Sequence, residues 1–115
     1  AGVNRLEGEM RLNDLKTQEG TMAKEDYILA RINIKAITID FEVIGEANGH
    51  TDDLQQIDGI DEGLERRLNT LGISTLSQIS KMDDDMSDTV NDAIEYMPGR
   101  IRRQLWAEQA QILLE

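Results

Sequence analysis

Cysteine is absent, histidine occurs once and proline once, and only four aromatic residues are present among 115. Without cysteine there is no disulfide framework, no thiol nucleophile and no thiolate metal site. His50 has no second histidine to work with, so neither a zinc site nor a Ser-His triad can be assembled within one chain. Tyr27, Phe41, Tyr96 and Trp106 are too few to form a stacking platform for single-stranded nucleic acid, and Tyr96 and Trp106 read as core. No apolar run approaches the ~20 residues that a transmembrane helix needs, and no signal peptide is seen, so no membrane insertion is expected and the cytoplasm is the default compartment. The chain opens on Ala1 rather than methionine, which fits initiator removal and a fragment of a longer protein equally.

Positive charge is also scarce. Twelve lysines and arginines face 23 acids, for a net charge of -11. Residues 46–95 hold 3 basic and 13 acidic side chains, whereas residues 96–115 hold 3 and 2. A surface this negative repels polynucleotides over a Debye length of ~8–10 Å and attracts a basic protein partner.

The organisation reads as three parts. Residues 1–23 carry Leu6, Met10, Leu12, Leu15 and Met22 among many charges, and Gly8 and Gly20 interrupt them, which predicts a weak helix or partly disordered arm. Residues 24–50 read as an amphipathic helix plus linker. Its stripe of Ile28, Leu29, Ile32, Ala36 and Ile39 has helical spacing and is a candidate for self-association. A strand competes over 36–44, because Ile37, Ile39, Phe41 and Val43 alternate with polar residues; it would have to pair with another chain.

From Thr51 to Glu115 the punctuation is sharper. Leu54 and Ile57 precede Gly59, Ile60 follows it, and Leu64 and Leu68 lie four apart, which predicts a helix-hairpin-helix with Ile60 plugging the crossing. Thr51 or Asp52 can cap a first helix running to Ile57, and a second runs from about Glu62 to Leu71 with Gly72 as its C-cap. Thr75 and Gln78 have capping-box spacing for a short third helix. Asp83 is placed to cap a fourth that bears Met86, Val90 and Ile94. After Pro98-Gly99 a fifth helix starts near Arg100 and directs Ile101, Leu105, Trp106, Ile112 and Leu113 to the core.

With Ile57-x-Gly59-Ile60, Leu64-Glu65-x-x-Leu68-x-x-Leu71-Gly72-Ile73-x-Thr75, Gln78-Ile79, and then Pro98-Gly99-Arg100-Ile101, Trp106 and Gln109-Ala110, residues 52–113 resemble the flap-endonuclease-like helix-hairpin-helix domain of bacterial proteins of unknown function. They are also similar to the C-terminal domain of the competence regulator TfoX. The resemblance implies an all-α, five-helix bundle, often appended to a coiled coil or a membrane anchor, and no established reaction. Family members usually carry a second glycine after the hairpin's apolar residue. Here Asp61 and Glu62 stand there, ahead of Gly63, and two carboxylates repel a phosphate.

Candidate contacts follow from this. At the first hairpin they are Gly59, Ile60, Asp61 and Gly63, with Arg66 and Arg67 one turn on. At the second turn Gly99, Arg100, Arg102 and Arg103 gather cations at a helix start. The competing reading is that Arg100 and Arg103 pair with neighbouring acids and hold the bundle together. Asp83-Asp84-Asp85 begins like a calcium loop, but Asp88 stands where glycine is needed and Ile94 where a bidentate glutamate belongs, so a helix cap is expected instead. No catalytic constellation is present, and neither a metal nor a cofactor is expected. These observations predict a non-enzymatic interaction module that docks a protein partner or self-associates. Nucleic-acid binding through the hairpin turns is the alternative that the charge disfavours.

Overall fold

The computed structural model describes residues 24–115, so the expected arm over 1–23 lies outside the described residues. The chain divides into two units at Arg31 and Ile32. In the first, the described residues are the opening turns of helix α1 (Lys24–Lys35), where the Arg31 guanidinium lies 5.4 Å from the centroid of the Tyr27 ring. Glu25 and Asp26 sit in its first turn and Lys35 in its last, which suits the helix dipole at both ends.

The second unit is all-α. Among its residues no strand forms, and the segment 36–44, for which a strand competed, is a 3-10 turn and a short helix joined by two extended residues. A 3-10 turn spans Ala36–Thr38, Asp40 caps α2 (Phe41–Ile44) by accepting from the Glu42 amide at 3.0 Å, and Gly45 ends it at φ 83°. The apolar residues do not share one face as an alternating strand would require. Ile39 and Ile44 are buried, whereas Ile37 is 85% exposed. Local caps satisfy the backbone here, so no ladder partner is needed. Nor is this stretch a bare linker, because Ile32, Ile39 and Ile44 all enter the core.

The first arm of the hairpin is shorter than expected. Instead of a helix from Thr51 or Asp52 to Ile57, one 3-10 turn spans Leu54–Gln56 and is capped by Asp53. Asp52 is engaged elsewhere: its carboxylate accepts from the Leu76 amide at 2.8 Å and its amide donates to Ser74 O. Glu65 reaches back from the next helix to accept from the Leu54 amide at 2.9 Å and from Gln55 Nε2 at 2.8 Å.

Beyond the hairpin the capping residues act where the sequence puts them. Helix α3 (Glu62–Leu71) ends at Gly72 in the left-handed region, with Phe41 packed where a β-carbon would stand. Helix α4 (Leu76–Ser80) opens with a complete Thr75–Gln78 capping box, and α5 (Asp84–Ala93) is capped by Asp83 through the Met86 amide. Buried Gln78 also ties two loops together: Nε2 donates to Gly45 O and Gly72 O, and Oε1 accepts from the Ser74 and Thr75 amides.

The fifth expected helix is broken. α6 (Arg100–Arg103) and α7 (Trp106–Leu113) meet at Leu105, whose φ of 59° is left-handed and costly for a branched side chain. The kink turns Trp106 fully into the core and leaves Leu105 52% exposed. Ile112 and Leu113, also expected inside, lie at the surface. α4 packs on α7 and α5 on α6 around Leu54, Ile57, Leu68, Ile79, Ile94 and Trp106.

Candidate functional site

Two glycine turns carry the candidate contacts, and the structure treats them differently. At the first, Ile57 to Ile60 form a tight turn closed by the Ile60 amide on Ile57 O, with Ile60 buried as the plug. Gly59 has φ 109°, and any side chain on it would run into the Gln104 carboxamide and into Trp106 Nε1. That carboxamide oxygen accepts from Trp106 Nε1 at 3.0 Å and from the Tyr96 hydroxyl at 3.2 Å. Gln109 clasps the turn from α7: its Oε1 accepts from the Asp58 amide at 2.9 Å, while its Nε2 donates to Asp58 O at 3.1 Å and Gln104 O at 2.8 Å. The Tyr96 and Trp106 rings, tilted by 33° with centroids 5.8 Å apart, back this clasp.

The carboxylate that replaces the usual second glycine has a structural use. Asp61 is the N-cap of α3 and accepts from the Leu64 amide at 2.8 Å. Gly63 lies in the first turn of that helix without positive φ, and a β-carbon there would meet only Asp61 Oδ1 at ordinary contact distance. Arg66 pairs with Glu62 one turn earlier at 3.1 Å. Arg67 crosses to the other half of the domain and donates to Ile94 O at 3.0 Å, placing a cation on the carboxyl end of α5.

The second turn is organised from inside. Asn91, nearly fully buried, donates through Nδ2 to Tyr96 O at 3.1 Å and Met97 O at 2.9 Å, and its Oδ1 accepts from the Ile101 amide at 2.9 Å. Gly99 takes φ 77° at the turn. Arg102 bridges Asp84 at 3.3 Å and Asp88 at 3.2 Å, so it is Arg102, rather than the expected Arg100 and Arg103, that ties this corner to the acidic helix. Arg100 lies 5.9 Å from the centroid of the Tyr96 ring. Arg103 packs beside Gly99 and makes no ion pair among the described residues. Two open concavities of about 490 and 450 Å³ flank Gly99 and Arg102, and Asp84, Asp88, Asp92 and Glu108 contribute to their walls.

Two residues of the self-association stripe are taken into the core. Ile32 and Ile39 are buried in the second unit, Ala36 is half-buried there, and Ile28 and Leu29 are half-buried residues of the first. The residues that organise both turns, Gln104, Gln109 and Asn91, are polar amides; of these, Gln109 was marked in the sequence by the resemblance alone. Among the described residues, no group of three or more acids and histidines is placed to hold a metal ion. No helix among them is long and apolar enough to cross a membrane.

Paired glycine turns, one clasped by a glutamine and one by an asparagine, define an all-α helix-hairpin-helix domain. The chain belongs to the RS2/RL21/YNQ2 HHH domain family, whose model matches residues 54–114. It is similar to the large ribosomal subunit protein bL21 of Hyphomonas neptunium, with 35% identity over 65 residues, which is 56% of this chain and 31% of that protein. It is also similar to the small ribosomal subunit protein uS2 of a Bradyrhizobium species, with 24% identity over 114 residues, 99% of this chain and 32% of that protein. The chain thus matches about a third of the length of each of these curated relatives. No solved structure gives a significant match.

Proposed function

We propose that this chain is a non-catalytic docking module that binds a protein partner, in an assembly of the ribosomal kind to which its relatives' names refer. The observation that carries this reading is the internal commitment of its phosphate-gripping parts. The Asp58 amide is spent on Gln109, Gly59 is covered by Gln104 and Trp106, and Arg66 and Arg102 sit on carboxylates while Arg67 sits on a helix end. A net charge of -11 adds a field that draws a basic protein and repels a polynucleotide. The finer resemblance, to flap-endonuclease-like and TfoX-type domains, is compatible with such a module and adds no reaction to it.

Nucleic-acid binding is the second reading. Arg103, which lies beside Gly99 and next to Arg102 and makes no ion pair among the described residues, is the observation that favours it. Titrations separate the two. The full chain is titrated at about 50 and 200 mM salt against duplex and single-stranded RNA and DNA, and separately against basic ribosomal proteins freed of RNA. Docking predicts saturable binding only to protein. Saturable binding to nucleic acid that weakens with salt and with Arg103→Glu establishes the second reading instead.

A further inference from the structure

We infer that the ridge formed by Ile34 and Ile37, with the groove beside it, is the docking surface, and that its occupant is a cationic amphipathic helix of a protein partner. The inference rests on the docking reading above and assigns it a face. Ile34 is 74% and Ile37 85% exposed, one turn apart, at the end of α1 and in the 3-10 turn that follows. Two β-branched apolar side chains this exposed on neighbouring turns offer i, i+3 contacts to a partner helix.

The chain neighbours of both isoleucines line a groove. Lys35 and Thr38, each the residue after a ridge isoleucine, face Thr89, Asp92 and Ala93 of α5 across a concavity of about 550 Å³. Charge decides what fills it. Lys35 is neutralised by Glu95 at 3.0 Å, and the Asp92 carboxylate makes no ion pair among the described residues. Exposed Asp40 and Glu42 follow the ridge in the chain. An apolar ridge with an acidic border complements a helix that has leucines on one side and lysines or arginines beside them. A second copy of this chain would bring the same acids to the same border.

The test uses the full chain and a synthetic amphipathic leucine-lysine helical peptide as probe, followed by calorimetry or fluorescence. Saturable binding is expected, weakened at least about tenfold by Ile37→Asp and several-fold by Asp92→Lys. Ile112→Asp, a surface apolar site on α7, is expected to leave it unchanged. Circular dichroism establishes that each variant keeps its helix content. Equal loss with Ile112→Asp, or no saturable binding, overturns the assigned face; docking itself is judged separately by the ribosomal-protein titration. Dimerisation abolished by Ile37→Asp, or a cross-link from a photoreactive side chain at position 37 to residues 1–23, overturns the assigned occupant.

Discussion

Replacing Asn91 tests how the second turn is held. Its carboxamide makes three hydrogen bonds at 2.9 to 3.1 Å from a buried position, two as donor to the Tyr96 and Met97 carbonyls and one as acceptor from the Ile101 amide. Each such bond contributes about 1 kcal/mol net, and a buried partner left unpaired costs about 1–3 kcal/mol. Asn91→Ala strands a buried amide and two carbonyls of the turn, so a loss of about 3 kcal/mol is expected. For a domain of this size that is a fall in Tm of roughly 10–20 °C. Asn91→Asp is the sharper variant. It keeps the acceptor for Ile101 but sets a carboxylate oxygen against two carbonyls, so at neutral pH it should be at least as damaging as alanine. Because burial and the facing carbonyls raise the folded pKa of that new carboxyl above its unfolded value, its protonated form favours folding. The deficit of Asn91→Asp relative to Asn91→Ala should therefore shrink as pH falls through the carboxyl range. Urea and thermal denaturation followed by far-ultraviolet circular dichroism read both effects. A loss below about 1 kcal/mol for alanine, or an aspartate variant as stable as the parent at neutral pH, would refute the assigned network.

Gly59→Ala forces a β-carbon into the Gln104 side chain at φ 109° and should cost about 1–3 kcal/mol, read as a lower urea midpoint. An unchanged midpoint would mean that the first turn is not clasped. Arg102→Ala removes two half-exposed ion pairs and should change stability by less than about 1 kcal/mol, with any difference fading as salt is raised. Thr75→Ala breaks the capping box of α4 and should cost about 1 kcal/mol in the same assay.

What was legible in the sequence is what is decided locally. The limits of α3, α4 and α5 follow from Gly72, Thr75 with Gln78, and Asp83, whose side chains or backbone freedom act on amides within a turn. Features decided by distant partners were not legible. Asp52 reads as a helix cap but is drawn to Leu76, which leaves the first hairpin arm as a single 3-10 turn. The alternation over 37–43 lets a strand compete with the helix and linker; instead Asp40 caps a short helix, and Ile39 alone of that set is buried. The left-handed Leu105 has no local signature; it is set by the burial of Trp106 and the anchoring of Gln104 and Gln109, so Ile112 and Leu113 swing outward.

At the candidate site the two glycine turns and the arginines were visible from composition and spacing. Their disposition was not. Asp61 replaces the usual glycine in sequence, and only the structure shows that carboxylate spent on the Leu64 amide. Helical spacing likewise puts Ile32 and Ile39 on one stripe without telling whether the stripe meets its own core or another chain. Here both are inside, and the exposed pair is Ile34 and Ile37.

If the first hairpin turn is filled by the protein's own side chains, it is closed to phosphate. Amide NMR of the full chain during titration with an RNA hairpin and a DNA duplex at physiological salt tests this. Asp58, Gly59 and Ile60 should keep their shifts throughout, and the Asp58 amide should exchange slowly because it is bonded to Gln109. Saturable shifts centred on Asp58 and Gly59, with rapid exchange of the Asp58 amide in the free protein, would contradict it.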